Sequence, residues 1–283
     1  MAKSKKRKSA KQTSLATIPG TLVLVGAGKM GGAMLDGWLA LKLPPSKVVI
    51  IDPQPAKPIK ALARRGVRIN PKGKIGNVAA LVVAVKPQVA PDAVPPLAAL
   101  VGPKTVVVSI MAGRTLKFLE HALPGAAIVR AMPNTPAAIG RGITVAVPNA
   151  KVGASGRKLV HTLLSAIGTV EWIDDDALID AVTAVSGSGP AYVFLLAEAM
   201  ARAGAAAGLP PALAARLARA TVAGSGELLH RSTLDAATLR ANVTSPGGTT
   251  AAALAVLMDK DGVEPLMTKA VAAATKRGRE LAG

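Results

Sequence analysis

The chain has 283 residues, 50% of them hydrophobic, which suits a globular protein with a substantial core and excludes a disordered or fibrous one. It holds no cysteine, excluding disulfides, thiol nucleophiles and thiolate metal sites, and no run of about 18 apolar residues free of Gly, Pro or charge, which argues against a membrane span. A formal charge of +19 invites a nucleic-acid reading, but aromatics are 2% of the chain and none interleave with the basic residues, so base stacking is unsupported.

The opening MAKSKKRKSAKQ carries Lys3, Lys5, Lys6, Arg7, Lys8 and Lys11 with no acid. It lacks the apolar stretch of a secretory signal, so residues 1–19 read as a disordered, solvated basic tail. Thr21–Val25 (TLVLV) is a β-branched apolar run ending at Gly26 and is predicted to be a buried strand. Residues 29–42 follow as a helix with Met30, Met34, Trp38 and Leu41 on one stripe, stopped by Pro44 and Pro45. Val48–Ile51 is a second strand closed by Asp52-Pro53, and a helix carrying Ile59, Leu62 and Ala63 comes next. Residues 81–85, 105–110, 127–131 and 143–147 are the third to sixth strands. Strands alternating with helical stretches imply right-handed βαβ units. The fold class is therefore α/β, with an N-terminal Rossmann-type doubly wound sheet over residues 20–174.

After Asp174 the strand signals stop. Residues 175–208, 210–230, 234–241, 247–258 and 263–282 all read as helix, many of them Ala-rich. An all-helical half with so little aromatic mass has difficulty making its own core. It is expected to bury its faces against a second copy, making 175–283 a helical dimerisation and substrate domain and the protein a homodimer.

Gly26-Ala27-Gly28-Lys29-Met30-Gly31 is G-x-G-x-x-G between a predicted strand and helix. Gly26 allows the tight turn, Gly28 lets a pyrophosphate approach the backbone, Gly31 lets helix and strand pack closely, and the positive helix end faces the phosphates. With Asp52 at the end of the second strand, the context is that of a dinucleotide site for NADH or NADPH. Asp52 repels a 2′-phosphate, whereas Lys57, Lys60, Arg64 and Arg65 could neutralise one, so the choice between the two stays open. No metal site is expected.

Further segments carry chemistry. Val85-Lys86-Pro87-Gln88, Ser109-Ile110-Met111-Ala112-Gly113 and Arg130-Ala131-Met132-Pro133-Asn134-Thr135-Pro136 each end a predicted strand, where ligands of open α/β sheets bind. In Ser186-Gly187-Ser188-Gly189-Pro190-Ala191-Tyr192, Pro190 is expected inside a helix, leaving the Ser186 carbonyl without its helical partner and opening a place for a ligand. In Ser245-Pro246-Gly247-Gly248-Thr249-Thr250, Ser245 is expected to be the N-cap with Pro246 first in the helix. The amides of Gly248, Thr249 and Thr250 would then be free to hold a small carboxylate.

Together RAMPNTP, SGSGPAYVF and SPGGTT, in this order, resemble the pyrroline-5-carboxylate reductase family, and the resemblance covers nearly the whole chain after the tail. It implies NAD(P)H-dependent reduction of 1-pyrroline-5-carboxylate to L-proline, and interlocked dimers that often assemble into decamers. The absence of cysteine fits a cytoplasmic location, and the composition points to no membrane or nucleic-acid partner. The resemblance implies cofactor contacts at Gly26, Ala27, Gly28, Lys29, Met30 and Gly31, at Ala84, Val85, Lys86 and Pro87, at Ser109, Ala112 and Gly113, and at Asn242; Asp52 joins them from the motif context. It places the substrate at Pro190, Ser245, Gly248, Thr249 and Thr250, with Thr250 catalytic as hydrogen-bond partner of the ring nitrogen. Lys29 departs from the Asn or Gln of many members, and residues 66–80 look short, both on the cofactor side. His121, His161 and His230 fall in predicted helices without partner motifs and read as structural. Two other readings compete. A β-hydroxyacid dehydrogenase would need a catalytic Lys, which the SGSGPAYVF helix does not offer; a basic binding protein would depend on the tail.

Overall fold

The computed structural model describes residues 14–282. The chain divides into two compact units, the first running to Gly187 and including Gly278–Gly283, the second being Ser188–Arg277. The units therefore part later than the 174/175 boundary drawn from the sequence, and the last residues of the chain belong with the first unit.

The first unit runs β1 (Thr21–Val25), α1 (Lys29–Ala40), β2 (Val48–Ile51), α2 (Lys57–Ala61), β3 (Arg68–Ile69), β4 (Val78–Val83), α3 (Ala90–Ala93), β5 (Val106–Ser109), α4 (Leu116–Ala122), β6 (Ala127–Met132), β7 (Gly142–Pro148), α5 (Ala154–Ser165), β8 (Gly168–Trp172) and α6 (Ile179–Val182). The eight strands form one sheet in the order β3-β2-β1-β4-β5-β6-β7-β8, so the strand order reverses between β1 and β4. That reversal opens a crevice at the strands' carboxyl ends. β1, β4 and β5 are buried along their whole length. Leu22 and Leu24 face Trp38 of α1 and Leu163 of α5, while Val23 and Val25 face Val94, Leu97 and Leu119 on the other side. Each such Val or Leu contributes roughly 1.5–3 kcal/mol, which is why the central strands read as unbroken apolar runs. Trp38 meets its one polar need by donating Nε1–H to the Leu163 carbonyl at 2.9 Å, tying α1 to α5.

Several expectations are corrected. Residues 14–19, expected in the solvated tail, are anchored to the core at two points: Leu15 and Ile18 are buried, and the Leu15 amide donates to the Leu41 carbonyl, while the other four residues are exposed. The charged residues 1–13 of the expected tail lie outside the described residues. The sixth predicted strand, β7, runs antiparallel to β6. Only a short 3-10 turn, Thr135–Ile139, lies between them, too little chain for the crossover that parallel pairing needs.

The second unit contains α7 (Gly189–Ala206), α8 (Pro211–Arg231), α9 (Ala236–Asn242), α10 (Thr249–Leu257) and most of α11 (Val263–Ala282). The helix expected over 175–208 is not continuous: a π turn, Thr183–Gly187, separates α6 from α7. Pro190 accordingly sits in the first turn of α7, where its missing N–H leaves no gap, and not in a helix interior. Taken through that turn, Asp176–Ala206 is long and apolar enough, by length and composition alone, to cross a membrane, against the sequence expectation. Val193, Phe194, Leu195 and Leu196 on it are exposed, as are Val256, Leu257, Leu266 and Met267 further on. So large an uncovered apolar surface marks an interaction face.

Candidate functional site

In the first unit the predicted cofactor residues converge at the carboxyl ends of β1, β2, β4 and β5. Gly26 ends β1 with φ +86°, a left-handed conformation that a side chain resists. A Cβ there would also lie 2.7 Å from the Ala84 carbonyl oxygen. Gly31 sits so close to the Gly26 carbonyl that a Cβ would collide with it, which lets α1 start against the sheet. Gly28 is the opposite case: a Cβ on it would meet nothing within 4 Å, so the space before it is open. Gly28 is also the N-cap of α1, with no side-chain capping bond, and among the described residues the amides of Lys29, Met30 and Gly31 have no hydrogen-bond partner. Open space before a bare helix start is what a pyrophosphate requires. The three glycines fit a dinucleotide in the three different ways the motif demands.

Asp52 follows β2. Its Oδ2 accepts from the Ala27 amide at 2.8 Å and its Oδ1 from the Gln54 amide at 2.8 Å. Its backbone is clamped by Asn70, whose Oδ1 accepts from the Asp52 amide and whose Nδ2 donates to the Asp52 carbonyl. Ala84 continues the ladder by donating to the Val25 carbonyl, and Pro87 offers its carbonyl to Arg114 Nε at 2.9 Å. Between them Val85 is half-buried and Lys86 exposed. Ser109 is fully buried at the end of β5, its Oγ accepting from the Met111 amide. Ala112 is exposed, while Gly113 has φ +68° and a Cβ there would lie 3.1 Å from the Leu281 carbonyl oxygen. Gly113 thus has a packing reason to be glycine.

RAMPNTP holds a feature that sequence reasoning passed over. Arg130 is 2% exposed and its Nη1 donates to Asp176 Oδ1 at 2.7 Å, while Nε and Nη2 have no partner. Asp176 Oδ2 accepts from the Leu116 amide, so the pair joins β6, the start of α4 and the segment after β8. The sequence signal was an arginine inside an otherwise apolar strand. Asn134 Oδ1 accepts from the Ile143 amide and pins the loop before β7.

In the second unit the start of α10 differs from expectation. Ser245 is not the N-cap. Residues 245–248 form a turn in which the Gly248 amide donates to the Ser245 carbonyl at 3.0 Å, and Gly247 has φ +69°. Pro second and a left-handed Gly third is the pattern of a type II turn, which cannot continue into a helix. The helix begins three residues later than a Ser245 cap would set it, with Gly248 as N-cap and no side-chain capping bond. The Gly248 amide, expected free, is therefore used. Among the described residues the amides without a partner are those of Thr249, Thr250 and Ala251. Asn242 ends α9 and is exposed; Pro190 stands at the start of α7 and Thr250 at the start of α10, on separate helices. No group of three or more His, Cys, Asp or Glu is placed to hold a metal among the described residues.

Comparison with known proteins bears on the whole chain. Residues 176–281 match the family described as pyrroline-5-carboxylate reductase dimerisation, and residues 21–113 match the one described as NADP oxidoreductase coenzyme F420-dependent. The chain is 41% identical to a pyrroline-5-carboxylate reductase of Synechocystis, over 92% of this chain and 97% of that protein. It is 39% identical to the enzyme of the same name from Pseudomonas aeruginosa, over 92% and 96%. The structure is similar to a pyrroline-5-carboxylate reductase from Coxiella burnetii, with a TM-score of 0.86 at 30% identity over 93% and 99% of the two chains. It is also similar to the Plasmodium falciparum pyrroline carboxylate reductase with NADP bound, with a TM-score of 0.78 at 27% identity over 94% and 99%.

Proposed function

Because the chain belongs to the pyrroline-5-carboxylate reductase family, we propose that it reduces 1-pyrroline-5-carboxylate to L-proline, with NADH or NADPH as hydride donor, in the last step of proline biosynthesis. The observation that carries this reading is the presence in one chain of two bare helix starts suited to anions: α1 behind the open face of Gly28, and α10 behind the turn at Gly247. A dinucleotide pyrophosphate suits the first and a small carboxylate the second.

The cofactor, when bound, supplies a hydride for the imine carbon. The chain's own residues bind and orient. Gly26, Ala27, Gly28, Lys29, Met30 and Gly31 cradle the phosphates, Asp52 takes the adenosine ribose, and residues 84–87, Ser109, Ala112, Gly113 and Asn242 complete the cofactor contacts. Ser245 shapes the turn from which the amides of Thr249 and Thr250 take the substrate carboxylate; Gly248, without a side chain, leaves the approach clear. The Ala251 amide adds a third donor. Pro190 lies beside the ring, and the Thr250 hydroxyl holds the ring nitrogen. A cyclic imine is partly protonated near neutral pH and its iminium accepts hydride far more readily, so orientation contributes more than a strong general acid.

The exposed apolar side chains of α7, α10 and α11 are covered by a second copy in this reading, giving a homodimer, with decamers as the larger assembly. A dimer face also accounts for the apolar character of Asp176–Ala206. The enzyme is assigned to the cytoplasm, where reduced nicotinamide is supplied. The test is oxidation of NADH and of NADPH, side by side, with 1-pyrroline-5-carboxylate. Oxidation that requires the imine and yields proline supports the reading, and none with either cofactor defeats it.

A further inference from the structure

The adenosine end of the site carries opposed signals, a carboxylate and a run of cations, and the geometry separates them. We propose that Asp52 makes this enzyme select NADH over NADPH; the proposal rests on the dinucleotide reading above and sharpens it.

The Asp52 carboxylate is fixed before any ligand arrives. One oxygen accepts from the Ala27 amide inside the glycine loop, the other from the Gln54 amide, both at 2.8 Å. The backbone beneath it is held from both sides by Asn70, itself in a left-handed conformation at φ +45°. Binding therefore does not have to order this side chain. Each carboxylate oxygen has a second lone pair still available for a hydroxyl donor. An adenosine ribose with free 2′ and 3′ hydroxyls provides such donors. A 2′-phosphate provides none and sets its negative charge against the carboxylate.

The cations do not offset this. Among the described residues none lies within ion-pair distance of Asp52. Arg64 and Arg65 end the 3-10 turn after α2, beside Gly66, where an added Cβ would be 3.8 Å from the Ser46 amide. Ser46 precedes β2 and Asp52 follows it, so strand rise alone separates the two ends by about 13 Å. Both arginines therefore belong to the wrong end of the sheet. Lys57 and Lys60 on α2, and Lys29 at the start of α1, are exposed and make no side-chain hydrogen bond or ion pair among the described residues, so no fixed cation stands beside Asp52 to neutralise it.

Titration calorimetry of the full chain with ADP-ribose, 2′-phospho-ADP-ribose, NADH and NADPH reads this without turnover. The expected result is at least ten-fold tighter binding of ADP-ribose and NADH than of their 2′-phosphorylated counterparts. Asp52→Ser is expected to shrink that ratio at least ten-fold, mainly by gaining affinity for NADPH. Because Asp52 also holds the glycine loop, Asp52→Asn, which keeps the size and one acceptor, is measured beside it with a melting curve for each. The Lys57→Ala/Lys60→Ala variant is expected to leave the ratio as it is. Equal or tighter binding of NADPH by the wild type overturns the proposal while leaving the reductase reading intact, as does an unchanged ratio in both Asp52 variants. If none of the four probes binds, the dinucleotide reading itself falls and this proposal with it.

Discussion

Gly28 and Gly31 stand three residues apart in one motif and should fail in opposite ways when each is replaced by alanine. At Gly28 the backbone, with φ −69° and ψ −161°, is open to any residue, and the new Cβ meets nothing within 4 Å. Losing glycine at an N-cap costs at most about 1 kcal/mol. The methyl instead occupies the space a pyrophosphate oxygen needs, so dinucleotide affinity is expected to fall at least ten-fold, equivalent to about 1.4 kcal/mol. At Gly31 the methyl would collide with the Gly26 carbonyl oxygen and come within 3.3 Å of the Ala84 Cβ. Neither can swing aside, so α1 must move off the sheet, an overpacking cost of about 1–3 kcal/mol. For a chain of this size that lowers the melting temperature by roughly 2–4 °C per kcal/mol. Melting curves and calorimetric titration with NADH on both variants decide the matter. Wild-type affinity in Gly28→Ala, or a Gly31→Ala protein that melts like the wild type, refutes the assignment of roles within the loop.

Four further outcomes are expected. Thr250→Ala should lower kcat ten-fold or more, with Thr250→Ser restoring most of it, since the hydroxyl and not the methyl is assigned to the ring nitrogen; steady-state kinetics checks this. Leu15→Ala should destabilise by about 2–5 kcal/mol in urea unfolding, as for other buried leucines, whereas a solvated tail predicts no change. Asp176→Ala strips the buried Arg130 of its partner and should cost about 3 kcal/mol or more; Arg130 is 2% exposed and already has two unpartnered nitrogens. The fourth concerns pH. The Thr238 amide, donating to Asp235 at the start of α9, holds that carboxyl below the usual aspartate range. A folded value lying beneath the unfolded one of about 3.9 means the stabilisation is complete above the unfolded value and is lost as pH falls through the folded one. Acid titration followed by amide exchange should therefore show α9 fraying below about pH 4, and Asp235→Asn, which caps without titrating, should remove the pH dependence.

The strands buried on both faces were legible because four to six successive apolar residues bounded by Gly or Pro have few other readings. β3 escaped notice because two residues, Arg68 and Ile69, show no periodicity. β8 did carry a signal, the alternation in Gly168-Thr169-Val170-Glu171-Trp172, whose burial alternates in step. It is an edge strand, half-buried and therefore mixed in composition. The direction of β7 is not encoded in its own residues; the shortness of the chain before it was the available clue. The π turn at Thr183–Gly187 was hidden because the same residues suit a regular helix. On the site side, the glycine loop was readable at the level of single residues, whereas the clamp of Asn70 on Asp52 joins positions whose sequence shows no relation.

The misplaced start of α10 is the most instructive of these differences. Ser245 followed by Pro246 is a good N-cap signal, and a helix begun there would hold its own first amides through the serine hydroxyl. The chain instead turns at left-handed Gly247 and starts at Thr249 behind Gly248, which offers no capping side chain. α1 starts the same way, behind Gly28 and a left-handed Gly26. Helices α4 and α9 are capped, by Thr115 and Asp235. α5 also starts at a glycine, Gly153, but without a left-handed glycine just ahead of it, so a bare glycine start alone does not mark a site. The combination leaves three amides open, and a glycine in place of a capping side chain forgoes roughly a few tenths of a kcal/mol at each helix. A bound anion returns that stability, so ligand and helix start should each be more ordered in the presence of the other.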